Sequence, residues 1–172
     1  MKTIQLPIDE KTIKTLKAGE MALLSGKLIT GRDQAHLRFA GAIKKGKKLP
    51  VNIKGQTIYY VGPTPAKAGE VIGSCGPTTS RRMDAFSPLL IKKGLTTMIG
   101  KGGRSKETIA AIKKHKGIYF MTLGGAGAYL SKRVISAKVI AYPELGPEAV
   151  FELEVRDFPV ITAIDSKGKN IF

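Results

Sequence analysis

The chain has 172 residues, 42% of them hydrophobic and 24% charged, which suits a single domain, residues 1–172, with a sizeable core. One cysteine, Cys75, excludes an internal disulfide framework and any all-cysteine metal site made by this chain alone, and no window approaches the roughly 18–20 apolar residues of a membrane helix. The formal net charge of +16, from 29 Lys and Arg against 13 Asp and Glu, implies an acidic partner, whether nucleic acid, anionic substrate or acidic subunit.

The N-terminus lacks the apolar stretch of a signal peptide, so a cytoplasmic location is the expectation. Thr3–Leu6 reads as a short strand. Asp9 is placed to cap a helix, with Ile8 and Ile13 at the two positions of a hydrophobic staple and Gly19 as the stop. Met21–Thr30 is apolar with one glycine, a buried-strand pattern. Gly31-Arg32-Asp33-Gln34-Ala35-His36 opens the next helix, in which Ala35, Phe39 and Ile43 share the inward face. Arg32 is poorly placed there, because a helix dipole favours anions at its N-terminus. An anion held by Arg32 and the free N–H groups accounts for it, and so does a salt bridge to Asp33 or a neighbour.

Lys47–Lys54 reads as a loop with a short strand, and Thr57–Val61 as a strand ended by Gly62-Pro63. Gly76-Pro77-Thr78-Thr79-Ser80-Arg81-Arg82-Met83-Asp84 follows, with almost nothing apolar to bury. Its hydroxyls and guanidinium forks suit a small carboxylate or phosphate, and a plain turn before a helix cap suits the same residues. Ser87-Pro88 reads as N-cap and first residue of a helix over Pro88–Lys93, which leaves Gly76–Phe86 mostly irregular and favours a site.

Leu95–Ile99 is the next strand. The loop Gly100-Lys101-Gly102-Gly103-Arg104-Ser105 lacks the spacing of a phosphate-binding loop, but its glycines admit close backbone approach while Lys101 and Arg104 supply charge. Ser105 caps a helix through Lys114, Gly117–Leu123 is a buried strand, and Gly124-Gly125-Ala126-Gly127 starts a helix through Lys132. Ile135–Tyr142, Ala149–Val155 and Val160–Asp165 complete the strands. Strand–helix alternation from Val71 to Tyr142, flanked by strands on both sides, predicts an α/β fold with two mixed sheets rather than one doubly wound parallel sheet. Arg32, Thr78, Arg82 and Lys101 all follow predicted strands, where α/β folds place their sites.

Taken together, Gly31-Arg32-Asp33 with Ala35-His36, Gly76-Pro77-Thr78-Thr79 with Arg82-Met83-Asp84, Gly100-Lys101-Gly102 with Arg104-Ser105, Gly124-Gly125, Glu148-Ala149 and Val155 with Asp157-Phe158-Pro159 run through nearly the whole chain. In that order they resemble the β subunit of the two-subunit iron–sulfur hydro-lyases, the class I fumarate hydratases and L-tartrate dehydratases. Single-chain members carry the same sequence as a C-terminal domain. The resemblance implies a swivelling β/β/α domain with helices on one side and reversible hydration of fumarate to malate, or dehydration of a related hydroxy acid such as tartrate. It implies a 4Fe-4S cluster held by a cysteine-bearing α subunit and none by this chain, whose own metal-ligand set is empty. Arg32 and Arg82 become carboxylate clamps for a C4 dicarboxylate, Lys101 a further contact, and Thr78 the residue taking part in proton transfer. A threonine hydroxyl needs a neighbouring acceptor to act as a base, and the α subunit is expected to supply that carboxylate. The αβ unit is expected to pair with a second copy and to engage neither membrane nor nucleic acid. The contrasting expectation from charge and lysine clusters is a basic RNA-binding module without enzymatic activity, and a third is a free-standing binder of small anions.

Overall fold

A computed structural model describes all of residues 1–172. Its elements run β1 (Lys2–Leu6), α1 (Glu10–Thr15), β2 (Met21–Thr30), α2 (Asp33–Lys44), β3 (Thr57–Tyr59), α3 (Ser87–Lys92), β4 (Thr97–Gly100), α4 (Lys106–His115), β5 (Ile118–Met121), α5 (Gly127–Ser131), β6 (Val134–Ala141) and β7 (Val150–Ile164), with short 3-10 turns at Ser80–Met83 and Pro143–Glu148. Local chemistry explains the boundaries. The Asp9 carboxylate accepts from Thr12 N at 2.8 Å and Ser105 Oγ from Thr108 N at 3.2 Å, each quieting a free donor of the helix that follows. The staple residues Ile8 and Ile13 are both buried. No helix is long and apolar enough to cross a membrane.

All seven strands join one sheet, in the order β1-β2-β3-β4-β5-β7-β6, and a further pairing between β2 and β7 closes it into a barrel-like ring. β1 through β5 are mutually parallel, while β7 runs antiparallel to β2, β5 and β6. The two mixed sheets expected from the sequence are therefore merged into one. The cause is the length of β2 and β7. One edge of β2 pairs with β1 over Ala22–Gly26 and then with β3 at Ile29 and Thr30, while its other edge follows β7.

The two strands expected at Ala149–Val155 and Val160–Asp165 are likewise one, β7. Asp157 adopts a positive φ of 49° and donates its N–H to Ser25 Oγ at 3.0 Å, so the chain bulges without leaving the sheet. Pro159 lies where β7 has parted from β6 and has not yet met β5, a position that needs no proline N–H on that edge. Two smaller expectations also shift. Lys47–Lys54 forms no strand, and Phe86 rather than Ser87 precedes α3 as its N-cap, because the Ser87 hydroxyl is engaged by Met83 O and Arg104.

The parallel strands β3, β4 and β5 are buried on both faces, which explains their unalternating apolar sequences. Ile58, Met98 and Tyr119 pack with Phe39 of α2, Leu90 and Ile91 of α3 and Ile112 of α4. Tyr59, Ile99, Ile118 and Phe120 point the other way, into a cluster with Leu24, Leu28, Leu153 and Phe158. The helices α2 to α4 thus cover one side, as expected. Against that expectation, α1 and α5 contribute Ile13 and Leu130 to the second cluster.

Candidate functional site

Where β2 to β5 end, their loops form one row. Gly31 N donates to Tyr59 O, Tyr60 N to Ile99 O, and Thr122 N to Gly100 O, so the chain leaves four neighbouring strands at one level. Into this row the Gly76–Asp84 stretch inserts as a short extra strand. Thr78 N donates to Tyr60 O at 2.7 Å, Thr79 bridges Lys101 in parallel register, and Ser80 N donates to Lys101 O at 3.0 Å. Lys101 N returns a bond to Ser80 Oγ at 3.0 Å. Lys101 is therefore clasped to the threonine segment through its backbone while its side chain takes part in no ion pair. Thr78 is half-buried and Thr79 is exposed.

The 3-10 turn at Ser80–Met83 then swings Arg82 toward the start of α2. Arg82 Nε donates to Asp33 Oδ1 at 3.1 Å, and Arg82 Nη2 lies 3.0 Å from Asp33 Oδ2 without a well-directed hydrogen bond. Arg32 approaches the same carboxylate, its Nε 3.8 Å from Asp33 Oδ2 and 3.9 Å from Glu148 Oε1. That Arg32 Nε is buried and makes no hydrogen bond. Gly62 is what lets Arg32 lie there: a Cβ on it would meet Arg32 Cδ at 2.8 Å and Nη1 at 2.9 Å. Below, His36 is wholly buried against Phe39, Tyr60 and Phe86, and its Nδ1 bonds the Arg32 carbonyl at 2.8 Å. Because a carbonyl can only accept, His36 carries its proton on Nδ1, leaving Nε2 without a partner.

The four residues expected from the sequence thus fall into two linked groups. Arg32 and Arg82 meet at Asp33, and Thr78 and Lys101 are tied by the inserted strand that also delivers Arg82. The salt bridge between Arg32 and Asp33 that the sequence allowed is long, and the shorter pairing of Asp33 is with Arg82.

Arg104 departs from expectation. Instead of offering charge to a ligand, it turns inward with no exposed side-chain area. Its Nε donates to Asp84 Oδ1 at 2.7 Å, and its Nη2 to Ser87 Oγ at 2.7 Å and Tyr60 Oη at 3.2 Å, with the Tyr119 ring 4.8 Å from its central carbon. Asp84 also accepts from Ser105 N and Thr108 Oγ1. Arginine between glycines and a helix cap reads as solvent-facing, and only the tyrosines that surround it in space show otherwise.

Cys75 is wholly buried in the interior apolar cluster, and burial pushes its thiol up to about 12. A lone, buried, protonated thiol does not fit an iron–sulfur cluster, so the residues present here do not hold one.

A family model described as "Fumarase C-terminus" matches residues 1–172. The anaerobic class I fumarate hydratase of Escherichia coli strain K12 is 44% identical over 151 residues, covering 87% of this chain and 28% of that enzyme. Fumarate hydratase 2 of Leishmania major is 38% identical over 173 residues, covering 98% of the chain and 30% of the enzyme. A Methanocaldococcus jannaschii protein named for the beta subunit of an L(+)-tartrate dehydratase is 38% identical over 171 residues, covering 96% of this chain and 88% of its own length. The chain therefore spans less than a third of the fumarate hydratases it matches and most of the separate beta subunit.

Proposed function

The chain belongs to the Fumarase C-terminus family, and from that premise we propose that it is the β part of a two-subunit iron–sulfur hydro-lyase. Its reaction is the hydration of fumarate to malate or the dehydration of a related hydroxy acid such as tartrate. One observation carries this reading: two arginines from separate strand-end loops converge on Asp33, and the inserted strand that brings Arg82 pairs Thr78 with Tyr60 and its next two residues, Thr79 and Ser80, with Lys101.

A C4 dicarboxylate carries two charges and needs cations whose geometry matches them. Arg32 and Arg82 supply planar forks, and Lys101 a point charge on a neighbouring loop. Thr78 is the proton-transfer residue, but its hydroxyl needs an acceptor. The nearby carboxylates of this chain are already engaged, Asp84 by Arg104, Ser105 and Thr108, and Asp33 by Arg82. The activating carboxylate therefore comes from the α partner, which also holds the 4Fe-4S cluster that this chain's single buried thiol cannot. The same reading takes the domain as a swivelling β/β/α unit, supported by the succession of helices α2–α4, parallel strands and antiparallel β6–β7, and takes the αβ unit as pairing with a second copy in the cytoplasm. An RNA-binding alternative lacks a stacking surface, since among the aromatic residues only Tyr129 and Phe172 are exposed.

The test is co-expression with a cysteine-bearing α partner under anaerobic conditions, followed by assays of fumarate hydration against tartrate dehydration. Arg82→Ala is expected to lose roughly 2–4 kcal/mol of transition-state binding, read from kcat/KM. Thr78→Ala is expected to lower kcat far more than it raises KM. Unchanged kinetics at Arg82, or a pure affinity loss at Thr78, would sink the respective role.

A further inference from the structure

We propose that Asp33 is the positioning residue of the clamp, fixing which edge of Arg82 faces an incoming carboxylate; this rests on the reading of Arg82 as a carboxylate binder. A guanidinium offers two edges that match a carboxylate, the side edge of Nε and Nη2 and the end edge of Nη1 and Nη2. Asp33 occupies the side edge, with Nε donating to Oδ1 at 3.1 Å and Nη2 at 3.0 Å from Oδ2. Only the end edge remains for a ligand. The Arg82 side chain is 54% exposed, so packing does little to hold it, and Asp33 is its sole ion-pair partner.

Asp33 is itself held. It is the first residue of α2, where the helix dipole favours an anion, and Arg32 Nε stands 3.8 Å from its Oδ2. It also lies between two guanidiniums whose repulsion it offsets. Glu148 completes the group from the far side, 3.9 Å from Arg32 Nε and accepting from Gln34 N at 3.4 Å. Two arginines and two carboxylates form a charge-balanced frame, and one ordered guanidinium edge is its product. A directed edge fixes where and in what plane a carboxylate is received, which a freely turning arginine does not.

The experiment uses the full chain labelled with 15N, alone and in complex with its α partner, with L-malate and inorganic sulfate as probes. The Arg82 Nε–H signal is expected to be protected from solvent exchange in the wild type, exposed in Asp33→Ala and partly protected in Asp33→Asn, which keeps an acceptor but not the charge. L-Malate binding should weaken at least tenfold in Asp33→Ala, with KM rising by the same factor and kcat changing less than threefold. Sulfate inhibition should hold or strengthen, because the site gains one net positive charge. Asp33→Asn should recover most of the malate affinity, which a merely unfolded helix start would not permit. An Arg82 signal indifferent to residue 33, or malate binding that is unchanged or tighter in Asp33→Ala, overturns the proposal. Failure of the hydro-lyase reading looks different: the wild-type complex neither binds L-malate nor hydrates fumarate while the Arg82 signal still depends on Asp33, and the positioning role then falls with it.

Discussion

His36 has no exposed surface, its ring packs among Phe39, Tyr60 and Phe86, and its unprotonated Nε2 is buried without a partner. Burial holds its pKa down to about 4, with the bond to the Arg32 carbonyl opposing. The unfolded chain binds a proton near its ordinary value of about 6.5 while the folded chain does not, so stability from this group is full above that value. It is lost as pH falls toward 4, by roughly 3 kcal/mol in total. Urea unfolding of wild type against His36→Asn between pH 7 and 4 checks this: the wild type should lose stability more steeply, and parallel curves would refute the assignment. Arg104 is the other buried basic side chain whose partners are all internal. Arg104→Met strands the nearly buried Asp84 carboxylate and should cost about 3–5 kcal/mol, with the double change Arg104→Met and Asp84→Asn recovering a substantial part, both read by urea unfolding. The contrast with Arg32 and Arg82 shows what was legible. Arg82 sits in a stretch too polar to be core and Arg32 at a helix start that disfavours a cation, so both were legible as candidates from the residues around them. Arg104 lies in an equally polar loop, and its inward turn depends on Tyr60, Ser87 and Tyr119, which are 44, 17 and 15 positions away and meet only in three dimensions.

At the scale of elements, the inserted strand Thr78–Ser80 depends on a missing side chain. Gly100 ends β4 where a Cβ would collide with Ser80 Oγ and come within 2.9 Å of the Tyr60 ring. Gly100→Ala should therefore push the segment off the strand end, at a cost of about 1–3 kcal/mol. Faster amide exchange at Ser80 and Lys101 than in the wild type would mark the loss of their mutual bonds, and unchanged protection of both would show that the insert tolerates a methyl group there. Most boundaries were readable because they rest on local chemistry. Asp9 and Ser105 are caps as their side chains dictate, and apolar periodicity marks α2. The insert was not readable as a strand, because Thr78 pairs with Tyr60 and Ser80 with Lys101 across the sheet. Only its irregularity showed, through Pro88. Joining Ala149–Val155 to Val160–Asp165 was hidden for a similar reason, since Asp157-Phe158-Pro159 carries ordinary turn residues and stays in the sheet only because β2 runs alongside.

The whole molecule has two apolar clusters, and its closure decides whether they unfold together. β2 gives Leu24 and Leu28 to the interior cluster and Ile29 to the helix-side one. β7 gives Leu153, Val155 and Phe158 to the first and Val150, Ala163 and Ile164 to the second. The pairing of β2 with β7 therefore makes each cluster a wall of the other, and neither can lose its strands alone. The candidate site lies on strands that share both clusters, so its loops are anchored by the entire fold. Leu90→Ala, a cavity in the helix-side cluster at a wholly buried position, should cost about 2–5 kcal/mol. Its effect should reach the interior cluster undiminished. Tyrosine fluorescence can report on both sides, with Tyr59 in one cluster and Tyr60 and Tyr119 in the other, and no tryptophan obscures it. Wild type and Leu90→Ala should each show one transition, coincident by fluorescence and far-ultraviolet circular dichroism, with the variant's displaced as a whole to lower urea. A variant whose unfolding splits, leaving the Tyr59 environment at its wild-type midpoint, would show that the closed sheet does not couple its two halves.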